Sequence, residues 1–204
     1  TMTSSCEKLI RKIHKNTQSW IDCDRCDAEP WQWVSGDYES ATDFINREAT
    51  KMTLKPLIHL HNHKLAMYSV RPAYLNYPTL VQEKKGPKWK YLDPAVKQIN
   101  GQPMGHPLSF PVLCSINLAC YRTAIERWLR RYNTKSDRKT AQILWDNVII
   151  NGDDIAFRAP MSFFDVWAST TIEAGLKPSL GKCYQTNQFV MINSEIFVLK
   201  NNQL

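Results

Sequence analysis

The pattern of apolar and polar positions divides the chain into elements of two periods. Residues 6 to 20 set Leu9, Ile10, Ile13 and Trp20 at helical spacing among charged positions, which predicts an amphipathic helix. An acidic loop from Asp22 to Pro30 follows, and Trp31 to Gly36 then reads as the first strand. Ser40 to Met52 predicts a helix with Ala41, Phe44, Ile45 and Ala49 on one side; Pro56 interrupts it, and a second helix is expected to about Tyr68. Residues 70 to 100 are rich in Tyr, Trp and Pro, which predicts short strands and turns inserted over the core.

From Leu108 a long helix is expected to run to about Tyr132, its first half apolar on most sides and its end carrying Arg127, Arg130 and Arg131 at the negative pole of the helix dipole. A polar connection is expected from Asn133 to Lys139. Two β-rich runs between Asp146 and Arg158 are separated by Asn151, Gly152, Asp153 and Asp154, which predicts a hairpin with two carboxylates at its tip. Met161 to Ala174 reads as a helix closed by Gly175, and short strands are expected at Phe189 to Ile192 and Ile196 to Leu199. This order predicts an α+β domain: an antiparallel sheet with helices packed on one face.

Composition and charge add limits. In 204 residues, 43% hydrophobic and 22% charged, the chain can bury one sizeable core and is too well mixed to be disordered. The apolar run Pro111 to Cys120 is interrupted by Ser115 and Asn117, so no membrane span is expected. The net charge of +7 favours a polyanionic partner. It is densest around Trp89, with Lys84, Lys85, Lys88 and Lys90, and from Arg122 to Lys139; a solvated face is the plainer account of both. The six cysteines show no framework spacing, which fits a reducing compartment. Cys23, Cys26, His59, His61 and His63 are candidate zinc ligands, although a strong zinc pattern would repeat the cysteine pair at a standard interval. No secretory signal is expected, and a chain starting at Thr is expected to be a cut piece.

The adjacent Asp153 and Asp154 carry the chemistry, because like charges so close repel unless a cation lies between them. Ordinary turn chemistry is the alternative. Asp37, at the end of another apolar strand, can lie beside the hairpin tip, and three hard oxygen donors would suit Mg²⁺ or Mn²⁺.

Three long segments then resemble a known family. Trp-Val-Ser-Gly-Asp37-Tyr-Glu-Ser-Ala-Thr-Asp43, Asn-Gly101-Gln-Pro-Met-Gly105-His-Pro-Leu-Ser109-Phe-Pro-Val-Leu-Cys-Ser-Ile-Asn117 and Ile-Asn151-Gly152-Asp153-Asp154 look, in order and spacing, like motifs A, B and C of viral RNA-dependent RNA polymerases. The wording of the second resembles most closely the ourmiavirus-like (botourmiavirus) group, related to narnavirus and levivirus polymerases. Gly175 to Lys182 is similar to motif D, and Asn193-Ser-Glu-Ile-Phe to the strand pair after it.

The resemblance implies a polymerase palm over residues 31 to 199 with a fingers-like insertion near 70 to 100. Residues 1 to 30 would be partial fingers or an N-terminal extension, and 200 to 204 the truncated start of the region after the palm. It also implies RNA-directed RNA synthesis in the host cytoplasm for a positive-strand genome, with template and product RNA and ribonucleoside triphosphates as partners. Two Mg²⁺ or Mn²⁺ ions would be held by Asp37, Asp153 and Asp154. Lys182 would protonate pyrophosphate, Gly105 would belong to the nucleotide-binding loop, and Asp43, Ser109 and Asn117 would contact the ribose; helix capping is the alternative for Asp43 and Ser109.

Departures from the family pattern are also visible. His106 stands where the pattern has serine, and no basic fingers motif is recognisable before Asp37, so the fingers and thumb are expected to be largely missing and the fragment alone inert. A reverse transcriptase would carry Tyr or Phe near its paired aspartates where this chain has Asn151-Gly152. A non-catalytic RNA-binding protein derived from a captured viral gene is the competing class.

Overall fold

A computed structural model describes residues 2–23, 29–56, 64, 74–75, 78–83, 85–91, 95–132 and 135–199. In chain order the elements are α1 (Met2–Cys23), β1 (Trp31–Gly36), α2 (Ala41–Phe44), α3 (Arg47–Leu54), β2 (Tyr74–Leu75), β3 (Pro78–Glu83), β4 (Gly86–Tyr91) and β5 (Val96–Lys97). They continue with α4 (Ser109–Tyr132), α5 (Lys135–Asp146), β6 (Val148–Asn151), β7 (Asp154–Pro160), α6 (Met161–Glu173), β8 (Tyr184–Thr186), β9 (Phe189–Ile192) and β10 (Glu195–Val198). Cys26, His59, His61 and His63 lie outside the described residues, as do most of the expected helix to Tyr68 and residues 200–204.

Four antiparallel strands form the central sheet in the order β6-β7-β1-β8. Alternation sends successive side chains of β7 to opposite faces. Ile155, Phe157 and Ala159 join a core with Leu113, Ile116, Tyr121 and Ile125 of α4 and Phe163 and Trp167 of α6. Phe157 is fully buried, 5.0 Å from Tyr121, 5.6 Å from Phe163 and 5.4 Å from Trp167 between ring centroids. Tyr121 is buried too, and its hydroxyl donates to Leu144 O at 2.9 Å, which satisfies the polar end of an otherwise apolar side chain.

The α+β class and antiparallel sheet agree with the sequence pattern, but helices on one face do not describe the whole arrangement. On the other face Trp33, Ile149 and Ala156 pack with Cys6, Ile10 and Ile13 of α1 and with Val190 and Ile192 of β9. That side also holds Ser35, whose Oγ accepts from Met191 N at 2.8 Å, and buried Arg158, which donates to Thr17 Oγ1 at 3.3 Å. Both faces of the sheet are therefore covered, because the apolar stripe of α1 needs a surface and the alternate strand residues supply one.

Two further expectations are corrected. The helix expected from Ser40 to Met52 is two helices, broken where Ile45 and Asn46 turn extended, with ψ of 131° and 128°. Asn46 Oδ1 accepts from Glu48 N at 2.8 Å and starts α3 anew. The opened backbone is used elsewhere: Gly101 N donates to Ile45 O and Asn46 N to Ala174 O. The polar connection expected up to Lys139 is mostly helix, since α5 begins at Lys135. Its charged first turns obscure the buried side supplied by Ala141 and Leu144, and Trp20 Nε1 of α1 donates to Thr140 Oγ1 at 3.0 Å. Residues 70–100 do contain short strands, with β3 pairing β4 and β2 pairing β5. No described helix is long and apolar enough to cross a membrane.

Candidate active site

Strand register brings the three aspartates to one end of the sheet. Asn151 pairs with Asp154, so Gly152 and Asp153 form the two-residue turn of the hairpin, and Gly152 has the positive φ of 68° such a turn requires. Gly36 pairs with Ile155, so Asp37 leaves β1 beside this tip. A side chain at position 36 would crowd the core, since a Cβ would lie 2.7 Å from Ile155 and 2.8 Å from Trp167.

Beside the tip lies a cavity of about 650 Å³, lined among others by Asp37, Ser40, Gly105, His106, Ser109, Phe110, Asp153 and Lys182. Lys182 Nζ lies 3.1 Å from Asp37 Oδ2. The hydrogen bond and charge of Asp37 raise the ammonium above the ordinary lysine pKa, so it remains charged. The loop carrying Lys182 is tied to the Asp37 segment: Glu39 N donates to Lys177 O at 2.9 Å, Ser179 N to Asp37 O at 2.8 Å and Cys183 Sγ to Asp37 O at 3.3 Å.

Asp154 is placed differently. Its Oδ2 accepts from Asn193 N at 2.9 Å, in the β9–β10 turn, and it does not line the cavity. Burial raises its pKa, and the charges of Asp153 and Asp37 raise it further, while the Asn193 N–H and Lys182 oppose the shift. Among the described residues no three His, Cys, Asp or Glu side chains converge as a ready-made metal cluster. The expected set of three donors is thus divided. Asp37 and Asp153 face one cavity with hard oxygen donors, which fits Mg²⁺ or Mn²⁺, and Asp154 is turned toward Asn193.

The expected ribose contacts are not assembled either. Asp43 is exposed on α2 and outside the cavity wall. Ser109 lines the cavity, but its Oγ donates to Pro103 O at 2.8 Å, which shapes the preceding loop rather than capping α4. Asn117 is fully buried: its Oδ1 accepts from Tyr38 Oη at 2.7 Å and its Nδ2 donates to Gly152 O at 3.2 Å. It braces the hairpin tip from below, and burial keeps the Tyr38 phenol un-ionised. Gly105, with φ of 83°, does line the cavity.

The contacts of several residues singled out in the sequence escaped it. Asn151 Nδ2 donates to Asn193 Oδ1, Gly152 N donates to Cys114 Sγ at 3.1 Å, and His106 Nδ1 accepts from Leu108 N at 3.1 Å. Asn193 and Ser194 both stand at positive φ, as their turn chemistry allows.

The described residues thus bring Asp37, Asp153 and Lys182 together at one end of an antiparallel sheet, beside a cavity of about 650 Å³. The chain is similar to the RNA-dependent RNA polymerase of Ourmia melon virus (isolate Melon/Iran/VE9), with 32% identity over an alignment of 179 residues that covers 84% of this chain. The chain spans about a fifth of the curated relative it matches, 19% of its length. No family model matches the chain.

Proposed function

We propose that the chain is the palm-bearing portion of a viral RNA-directed RNA polymerase of the ourmiavirus-like group, kin to narnavirus and levivirus polymerases, that replicates a positive-strand genome in the host cytoplasm. Template and product RNA and ribonucleoside triphosphates are its partners, and the rest of the fingers and the thumb belong to the longer polymerase. Asp37 and Asp153 on one cavity wall are the observation that carries this reading.

In the proposed reaction Asp37, Asp153 and Asp154 would hold two divalent ions, Mg²⁺ or Mn²⁺. Bound there, the ions would lower the pKa of the primer 3′-hydroxyl and neutralise the leaving pyrophosphate. The chain's own groups do the positioning. The Gly105 loop and Ser109 wall the nucleotide space, Asn117 and Tyr38 hold the hairpin tip at its height, and Lys182 can give a proton to pyrophosphate from the cavity edge. Asp43 would take part in sugar choice from α2, where its neighbour Thr42 lines the cavity.

The test is primer extension by the full-length polymerase carrying Asp153→Asn. Loss of extension with RNA binding retained supports the reading. Extension at more than a few per cent of wild type overturns it, and RNA binding without extension by the unaltered polymerase points to the non-catalytic RNA-binding class.

A further inference from the structure

A proton donor for pyrophosphate must approach the phosphates, yet Lys182 is engaged elsewhere. Its Nζ is 3.1 Å from Asp37 Oδ2, an oxygen of the carboxylate that the proposed cation needs. The contact is built into the backbone. Ser179 N and Cys183 Sγ both donate to Asp37 O on either side of Lys182, and Tyr38 bridges Pro178. The base of the lysine therefore stays beside Asp37, and only its flexible side chain can swing. Asp154 meanwhile gives one oxygen to Asn193 N, so two of the three carboxylates already have internal partners.

We propose that Lys182 is the internal counter-ion of this carboxylate site: it competes with the divalent cation for Asp37, and cation binding releases the ammonium into the cavity it lines. The proposal rests on the polymerase reading for the cation. It goes further in coupling two events, because the group suited to protonating the leaving pyrophosphate is freed only when the site is loaded. Linkage makes the coupling reciprocal: the factor by which Lys182 weakens the cation equals the factor by which the cation weakens the Lys182–Asp37 pair. It also gives one substitution two opposite effects. Removing the ammonium tightens cation binding while slowing nucleotidyl transfer, whereas a lysine acting only as proton donor would leave cation binding unchanged. The contact is exposed on the lysine side, where 65% of the side chain is accessible, so the factor is modest.

Mn²⁺ binding to the 204-residue chain, followed by electron paramagnetic resonance, tests this without catalysis. Lys182→Met should bind Mn²⁺ about two- to fivefold more tightly than wild type, the range of an exposed ion pair. Lys182→Arg, which keeps the charge, should stay near wild type, and Lys177→Met, which removes a neighbouring lysine paired with Glu39, should change little. Equal affinity of Lys182→Met and wild type, or the same gain in Lys177→Met, overturns the proposal while leaving the polymerase reading intact. Mn²⁺ binding that survives Asp153→Asn, or its absence from wild type, overturns the cation site and the proposal together. A second readout is the NMR signal of isotopically methylated Lys182, which should move on adding Mg²⁺ to wild type and stay still in Asp153→Asn. A signal that Mg²⁺ leaves unmoved in wild type also overturns the proposal.

Discussion

Two cavities lined by described residues border α4 and treat charge differently. The smaller, of about 380 Å³, lies between α3, the middle of α4 and the end of α6; on its rim Arg127 is bonded to Glu173 at 2.6 and 2.7 Å, and Glu48 is paired with Lys51. The pairing pushes the Arg127 pKa up and the Glu173 pKa down, so each group stabilises the other's charge. The larger cavity, at the N-terminal turns of α4, has Asp37 and Asp153 on its wall, with Lys182 paired to Asp37. Outside that wall the Asp154 pKa is raised by burial and by its neighbours' charge. A rim whose charges pair off makes structure, and carboxylates that outnumber their one lysine beside a void mark a place for a ligand.

The comparison breaks most sharply under charge removal. Asp37→Asn should reduce primer extension by the full-length polymerase at least about 100-fold, since charge stabilisation by bound metal is worth several kcal/mol. Glu173→Ala should leave extension within about twofold; equal losses in an extension assay would erase the distinction between the cavities.

Geometry is the next lever. A methyl group at Gly36 would press on Ile155 and Trp167, so Gly36→Ala should cost about 1–3 kcal/mol in denaturant unfolding through overpacking beneath Asp37. Asn117→Ala leaves Tyr38 Oη and Gly152 O without their buried partner and should also cost about 1–3 kcal/mol. A changed preference between ribo- and deoxyribonucleotides with unchanged stability would instead restore Asn117 to the ribose.

Smaller effects test the electrostatics. Because the Asp154 pKa is raised in the fold, the native chain binds more protons than the unfolded chain just above the ordinary value of 3.8, and stability falls as pH rises through that window. Asp154→Asn removes the penalty. Its melting temperature without metal should exceed wild type at pH about 7 and match it at pH about 3, where the acid is protonated in both states. Glu173→Ala should leave the melting temperature nearly unchanged in the same melts, as loss of an exposed pair does, however good its geometry.

Local pattern was enough for much of this protein. The alternation of Trp31–Gly36, the Asn-Gly-Asp-Asp turn between β-rich runs and the apolar length of α4 can be read within a few residues, because strand, turn and helix preferences act over that range. They also place Asp37 and Asp153 at the ends of strands. What lay beyond reach depended on partners far along the chain. The break between α2 and α3 is held by Gly101 and Ala174, the second face of the sheet is covered by α1, and α5 hides a buried side under a charged start. The same holds for the roles of the site residues. The resemblance points Asn117 to the sugar and Asp154 to the cations, and the fold adds partners that no local pattern announces, Tyr38 and Gly152 for the Asn117 amide and the Asn193 N–H for one oxygen of Asp154. Sequence by itself determined which chemical groups the chain carries and which element each one ends. Tertiary structure alone decided which of them share a cavity and which are already satisfied, since a hydrogen bond between distant residues is set by the packing of whole elements and leaves no local signature.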